Sequence, residues 1–490
     1  MFAFFMSSGL FLGWSLGAND ASNVFGTAVG SRMIRFSTAA VLCSIFIVLG
    51  AVISGEGASH TLGKLGAVNA IAGAFIVAFA AAMSVYLMTL ARYPVSTSQA
   101  IVGAILGWNL FTGSLTDVHS LTKIVSTWVL CPVLAAVIAM ILYKLVVFVI
   151  KRFKFHMFKL DRMTRYGLLL AGVFGSYSLG ANNIANVMGV FIPVSPFSDI
   201  SLLGWFNLTG AQQLFFIGGI AIAVGVFTYS KRVMLTVGEG IMALSPVAAF
   251  VSVWSHSIVL FLFSSQGLES FLTSHGLPAI PLVPVSSSQA IVGAVIGMGL
   301  LKGGKGIRWR TVGGIATGWI TTPVIAALLS FICLFFLQNV FQQKTYRPVR
   351  YVLTLESMER IREAGVPTAK LDDLFGENFS RAVKFKKALY ERVALTPEAR
   401  DIVMSAAEID ELGVAGTAIA RLNTGWFTGE QIEALKQLEG REFIHKWQLS
   451  EALAEQSPQW RSHENDRDFN RDLQNKLSHL YKVFRYETDY

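Results

Sequence analysis

Two short polar motifs occur twice in this chain, each time inside an apolar stretch. The first, SLGANDASNVFG from Ser15 to Gly26, returns from Ser178 to Gly189 with eight identities in twelve positions. The second, from Tyr93 to Gly107, returns from Val283 to Gly297 with eleven identities in fifteen. Polar groups without a partner in hydrocarbon cost several kcal/mol. The chain is therefore predicted to be an internal duplication whose motifs face a shared binding site.

The first copy of the first motif combines amides with a carboxylate. Asn19 and Asn23 are four residues apart on one helical face, and Asp20 is turned aside by about 100°. Gly17 and Gly26 permit a broken helix, which would offer N–H groups to an anion and carbonyls to a cation. Asp20 supplies the one full negative charge, and its structural alternative is a helix cap or a hydrogen bond to the other repeat.

The second copy lacks that charge. It keeps Asn182 and Asn186, but Asn183 stands where the repeat calls for a carboxylate. An amide oxygen coordinates a cation without adding charge, and it cannot accept a proton. Cation binding at the second half is therefore predicted to be weaker or absent.

Each copy of the second motif places four polar residues after a proline and a valine. They are Ser96, Thr97, Ser98 and Gln99 after Pro94, and Ser286, Ser287, Ser288 and Gln289 after Pro284. Proline favours a helix start, and the free N–H groups of a helix start attract anions. Hydroxyls donate to an oxyanion and offer oxygens to sodium. The alternative is helix capping with close packing of small residues.

The elements that position these residues follow from composition. The 490 residues are 53% hydrophobic and only 14% charged, which indicates a polytopic membrane protein. Apolar windows lie at 36–55, 66–91, 120–150, 167–192, 212–229, 235–262 and 311–338, with a shorter one over the first sixteen residues. The segments 94–111 and 284–300 are short and interrupted, which is typical of re-entrant hairpins. The two motifs are offset by 163 and 190 residues, which places about 27 extra residues of the second repeat in 193–210 and 263–282.

Four regions are predicted along the chain. Residues 1–150 form a first transmembrane repeat, 151–166 a basic connector, 167–343 a second transmembrane repeat and 344–490 a soluble helical domain. The net charge of +9 comes from the membrane part, and the basic connector is expected in the cytoplasm. In the last region, helical spacing of Leu473, Leu477, Leu480 and Phe484 and a capping box from Thr428 to Gln431 predict helices.

With these four motif blocks in this order, the first 340 residues resemble the inorganic phosphate transporter family. The resemblance implies an all-α fold of two inverted repeats with broken helices, and secondary transport of phosphate coupled to sodium or protons. It also implies a site at mid-membrane and a homodimer in the lipid bilayer. The residues that would bind phosphate are Asn19, Asn23, Ser96, Thr97, Ser98, Gln99, Asn182, Asn186, Ser286, Ser287, Ser288 and Gln289. Asp20 and Asn183 would bind the coupling ion, with Asp20 as the sodium ligand if sodium is used.

The chain departs from the family's pattern at three positions, because Asn183 replaces an Asp, and Gln99 and Gln289 replace His. Sulfate permeation by the same fold therefore stays open, as does a passive anion channel, which would not need Asp20. An enzyme is not expected, since the membrane part holds seven Asp and Glu residues and no nucleophile motif. No cofactor beyond the coupling ion and no nucleic acid partner is expected. The expected location is a bacterial inner membrane.

Overall fold

The architecture is described from a computed structural model of the chain. The described residues are 2–66, 68–90, 95–197, 200–202, 206–231, 233–234, 242, 244–304, 306–420, 422, 425–463 and 466–486. Pro94 of the second motif lies outside them. Contacts divide the chain into two compact units: the first comprises 1–111, 116–197 and 210–346, and the second comprises 112–115, 198–209 and 347–490.

The first unit is built from helices. In the first repeat these are α1 (Phe2–Gly30), α2 (Phe36–Ser54), α3 (Glu56–Leu65), α4 (Ile71–Leu90), α5 (Thr97–Thr112) and α6 (Val118–Phe153). In the second repeat they are α7 (Met157–Met188), α8 (Gly210–Thr228), α9 (Pro246–Ser264), α10 (Gln266–Ser274), α11 (Ser287–Leu301) and α12 (Trp309–Asn339). Residues 154–156 alone separate α6 from α7, so most of the predicted basic connector lies on the ends of these two helices.

Within the part of the chain that the structure describes, six helices are long and apolar enough to cross a membrane. They are α2, α4, α6, α8, α9 and α12, and they coincide with six of the apolar windows. The helices α5 and α11, at the two interrupted segments, have only 16 and 15 residues. The two stretches predicted to hold the extra residues of the second repeat contain short elements. A strand pair, Ile200–Leu202 with Phe206–Leu208 (β1 and β2), lies in 193–210 after the 3₁₀ helix Gly189–Val194, and the helix α10 lies in 263–282.

The prediction of broken helices is wrong. The first motif lies within α1, which runs unbroken over 29 residues, and its copy lies at the end of α7, which is equally continuous. The glycines instead allow neighbouring helices to pack closely against each other. A Cβ atom at Gly17 would lie 1.9 Å from the Ile222 carbonyl oxygen, and one at Gly180 would lie 2.1 Å from that of Ile47. Because glycine removes this clash, α1 packs against α8 and α7 packs against α2.

The short helices α5 and α11 also pack closely against the other repeat, each through a glycine. A Cβ atom at Gly103 of α5 would lie 2.1 Å from the Pro323 carbonyl oxygen in α12. A Cβ atom at Gly293 of α11 would lie 2.2 Å from the Pro132 carbonyl oxygen in α6. These glycine contacts therefore occur in both directions. A glycine of the first repeat packs on a carbonyl group of the second repeat, and the equivalent glycine of the second repeat packs on a carbonyl group of the first, as expected for two interlocked repeats.

The second unit contains further helices and all the described strands. Its helices are α13 (Leu355–Glu363), α14 (Ala382–Arg392), α15 (Pro397–Ala407), α16 (Gly416–Ile419), α17 (Gly429–Gln437), α18 (Lys446–Gln456) and α19 (Arg467–Val483). Two-residue strands pair β3 (Arg350–Tyr351) with β4 (Glu408–Ile409), and β5 (Leu412–Gly413) with β6 (Glu442–Phe443). These pairs, absent from the prediction, tie loops together between the helices.

Two sequence predictions for this unit are confirmed. Thr428 and Gln431 form the capping box of α17. The helically spaced apolar residues of the C-terminal segment lie in α19 or directly after it, and all belong to one core. They are Leu473, Leu477, Leu480 and Phe484.

Candidate functional site

The first motif lies on α1 with its polar side chains buried. Asn19, Asp20 and Asn23 are each 2% exposed. Asn19 donates to the hydroxyl of Thr89 on α4 at 2.9 Å, and Asn23 donates to the Ser287 hydroxyl at 3.0 Å. The Oδ1 atom of Asp20 has no hydrogen-bond partner among the described residues. The carboxylate is therefore not a helix cap, since it lies inside a continuous helix.

The second copy, on α7, contacts both hydroxyl segments, which are residues 95–99 and 285–289 of the second motif. Asn182 donates to the Val285 carbonyl at 2.8 Å and accepts from the Val285 N–H at 3.1 Å. Asn186 donates to the Ser98 hydroxyl at 2.8 Å and to the Asn183 side-chain oxygen at 2.9 Å. These bonds use the oxygen of Asn183 and leave its Nδ2 as the atom without a partner among the described residues.

Some residues of the hydroxyl segments cap helices, and others contact the asparagines of the first motif. Ser96 and Ser286 accept from the backbone N–H groups of Gln99 and Gln289, both at 3.2 Å, and so cap α5 and α11. Ser286 is the N-cap residue of α11, so Pro284 lies two residues before the cap and outside the helix. The capping alternative holds for these two serines, while other hydroxyls of the segments bond to the motif asparagines.

The two repeats contribute to one cluster. Asn23 of the first repeat contacts Ser287 of the second, and Asn186 of the second contacts Ser98 of the first. The Ser98 hydroxyl also donates to the Val285 carbonyl at 3.1 Å, which joins the two segments directly. The structure thus brings together both motifs from both repeats, as the shared polar residues predicted. Asn19 is turned towards α4 instead of a hydroxyl segment.

Several buried polar atoms of the two motifs, and one of His256 on α9, have no partner among the described residues. They are Asp20 Oδ1, Thr97 Oγ1, Gln99 Oε1, Asn183 Nδ2, Asn186 Oδ1, His256 Nδ1 and Gln289 Oε1. Buried polar groups nearly always have a partner, because an unpaired one costs about 1–3 kcal/mol. This concentration indicates a ligand site. The oxygens can hold a cation and the donors an anion, with Asp20 as the single carboxylate.

A small cleft beside α1 is lined by Trp14, Tyr86 and Tyr229, and also by Ser15 and by Thr89, the partner of Asn19. Aromatic rings and hydroxyl groups therefore lie next to the first motif. Among the described residues, no group of three or more His, Cys, Asp and Glu could hold a metal ion.

One residue of the cluster was missed by the sequence analysis. His256 on α9 is fully buried, and its Nε2 atom lies 2.9 Å from the Ser287 hydroxyl oxygen. The available signal was its position as an ionisable residue inside an apolar window, 235–262.

The chain was compared with known proteins. The model of the phosphate transporter family matches residues 16–330 and 280–370. A Methanocaldococcus jannaschii protein named as a phosphate permease is 29% identical over 317 residues, which cover 65% of the chain and 91% of that protein. The sulfate permease CysP of Bacillus subtilis is 28% identical over 336 residues, covering 66% and 84%. A solved structure described as the sodium-dependent phosphate transporter shares the fold, with a TM-score of 0.54, 24% identity, and coverage of 69% of the chain and 99% of that structure.

Proposed function

Because the chain belongs to the phosphate transporter family, we propose that it moves inorganic phosphate across the membrane by symport with sodium ions or protons. The observation that carries this proposal is the exchange of contacts between repeats, in which Asn23 binds Ser287 and Asn186 binds Ser98. A binding site formed by two repeats can open to one side of the membrane and then to the other when the repeats move relative to each other. No enzymatic role is proposed.

In this proposal the anion is held by donors from both repeats. The amides of Asn23, Asn182 and Asn186 orient the serine hydroxyls and the backbone near Val285, and the hydroxyls donate to phosphate oxygens. The proposed phosphate ligands are the remaining members of the set predicted from the sequence: Asn23, Thr97, Ser98, Gln99, Asn182, Asn186, Ser287, Ser288 and Gln289. Ser96 and Ser286 of that set cap α5 and α11, and Asn19 donates to Thr89.

Asp20 is proposed to serve the coupling ion. Its unpartnered oxygen is available to sodium, a cation that prefers oxygen ligands, or to a proton. Asn183 is a weaker candidate for this role, because its oxygen already accepts from Asn186 and a cation would require the amide to rotate. Its free Nδ2 is better suited to donate to the anion.

Sulfate transport is the second candidate, and a specific observation favours it. The sulfate permease CysP is nearly as similar to the chain as the archaeal phosphate permease, at 28% against 29% identity. Phosphate near neutral pH keeps a P–OH group that needs an acceptor such as Asp20, whereas sulfate has no proton to donate. The Asp20 carboxylate therefore favours phosphate as the substrate. The lack of a second carboxylate at Asn183 weakens the discrimination between phosphate and sulfate.

The test is uptake of radiolabelled phosphate by the purified protein in lipid vesicles. An inward sodium gradient and an inward proton gradient are applied separately, and arsenate and sulfate are added as competitors. Symport predicts uptake that follows one of the two gradients and is blocked by arsenate more strongly than by sulfate. Uptake that ignores both gradients would indicate a passive channel. Equal block by sulfate and arsenate would assign the protein to oxyanion transport without phosphate specificity.

The remaining expectations from the resemblance are part of this proposal. The interlocked helix contacts support two inverted repeats with α5 and α11 as re-entrant segments around a mid-membrane site. A homodimer in the bilayer and a bacterial inner-membrane location are proposed as well. Labelling of single cysteines introduced into the loops 113–117 and 302–304 would test the topology, because an inverted pair of re-entrant segments requires them to react from opposite sides. Light scattering of the detergent-solubilised protein would test the dimer.

A further inference from the structure

His256 is buried at the centre of the first unit, yet it belongs to neither repeated motif. It lies on α9, is fully buried, and has a single described hydrogen-bond partner, the Ser287 hydroxyl at 2.9 Å from its Nε2. Its Nδ1 has no partner among the described residues. The histidine therefore acts on the site through one atom of one residue.

The hydrogen-bond inventory of Ser287 determines what that contact does. Asn23 donates its Nδ2 hydrogen to the Ser287 oxygen at 3.0 Å. If the proton of the imidazole were on Nδ1, a buried N–H donor would be left unpaired, and unpaired buried N–H groups are rarer than unpaired acceptors. The proton is therefore placed on Nε2, which also donates to Ser287. A hydroxyl oxygen that accepts two hydrogen bonds has filled both lone pairs and has only its own hydrogen left to offer.

The first repeat shows no such arrangement among its described residues. The hydroxyl that corresponds to Ser287 is that of Thr97, and it has no partner among the described residues.

We propose that His256 is a positioning residue that makes the Ser287 hydroxyl an obligatory hydrogen-bond donor to the transported oxyanion. This inference rests on the proposed function and adds a specificity device to one half of the site. Two fixed donors behind Ser287 orient its hydrogen towards an unprotonated anion oxygen and away from a group that must itself donate. The Thr97 hydroxyl, which lacks such donors, stays free to donate or to accept.

The test uses substitutions that separate the Nε2–H donor from the volume of the ring. His256→Gln retains an N–H group near the Nε2 position, whereas His256→Met keeps a side chain of similar length and removes the donor. Ser255→Ala on the same helix is the matched control, since the Ser255 hydroxyl donates to the backbone of its own helix at 2.8 Å. Thermal melting and size-exclusion profiles of every variant establish that it folds.

Initial uptake rates in vesicles give KM and kcat for phosphate and, in parallel, for sulfate. We expect His256→Met to raise the KM about tenfold, the size of one lost hydrogen bond to a charged ligand, with a smaller change in kcat. His256→Gln should remain within about threefold of the wild type, in line with its retained donor. In a Ser287→Ala background, His256→Met should change the KM no further, because the two residues act through one hydroxyl.

Three results would overturn the inference: a wild-type KM in a folded His256→Met variant, equal losses in the Gln and Met variants, or a loss that persists undiminished in the Ser287→Ala background. Failure of the proposed function is recognised separately, because it is a property of the wild type. If the wild type carries sulfate but not phosphate, the phosphate assignment fails, and the same variants are compared with sulfate. If it carries neither anion, both proposals fail.

Discussion

The replacement Asp20→Asn tests the role assigned to the single carboxylate of the site. Asparagine has nearly the same shape as aspartate, and Asp20 is 2% exposed inside a continuous helix. The substitution should therefore leave the fold intact while it removes one full negative charge. Because the Oδ1 atom has no partner among the described residues, no internal hydrogen bond of that atom is lost.

The expected magnitude follows from the burial of the group. At an effective dielectric constant of about 20, two unit charges about 4 Å apart attract each other by about 4 kcal/mol. Since about 1.4 kcal/mol corresponds to a factor of ten, loss of this attraction would weaken sodium binding roughly a thousandfold. Were the coupling ion a proton, the amide could not accept it at all. In either case gradient-driven uptake should disappear.

The assay is the initial rate of phosphate uptake in vesicles as a function of external sodium and, separately, of the proton gradient. Asp161→Asn is the matched control, because Asp161 forms a half-exposed ion pair with Arg165 at 3.6 Å, and exposed pairs of this kind contribute little. The control should retain the wild-type dependence. If Asp20→Asn is folded and its half-saturating sodium concentration or proton dependence matches the wild type, Asp20 has no part in coupling.

Four further substitutions examine other parts of the structure. Asn183→Asp should fold and shift the sodium dependence of uptake, whereas an unchanged dependence would show that this position does not bind the cation. Gly17→Ala should lower the melting temperature in detergent by an amount equivalent to about 1–3 kcal/mol or more, because its Cβ would lie 1.9 Å from a backbone oxygen. Gly63→Ala, where nothing lies within 4 Å, should be neutral or stabilising, and equal losses at the two glycines would contradict the packing described here. Thr428→Ala should cost about 1 kcal/mol through loss of the capping box, seen as faster hydrogen exchange in α17, and unaltered exchange would count against that cap.

The residues of the site could be predicted from the sequence because each polar motif occurs twice in it. Asn23 and Asn186 sit at equivalent positions of the two copies, and each proves to bind a hydroxyl of the other repeat. A duplicated polar motif in an apolar segment leaves few physical alternatives to a shared site. His256 could not be predicted in this way, because it lies in neither repeated motif and its partner Ser287 is 31 residues away.

The backbone around the motifs could not be predicted in the same way. Glycine is favoured both where a helix breaks and where two helices approach closely, so Gly17 and Gly180 are ambiguous in the sequence. The carbonyl oxygens of Ile222 and Ile47 resolve the ambiguity, because they occupy the space that a Cβ atom would need. Proline before a helix was ambiguous as well, and the cap of α11 proves to be Ser286.

The amino-acid sequence by itself determined that this is a duplicated membrane protein with one carboxylate among paired amides and hydroxyls, because composition, repetition and the cost of burying polar groups are local properties of the chain. The tertiary structure alone decided which polar atoms meet. Hydrogen bonds such as those from Asn23 and His256 to Ser287 join residues far apart in sequence. They depend on how α1, α9 and α11 pack, and no spacing along the chain encodes that packing directly.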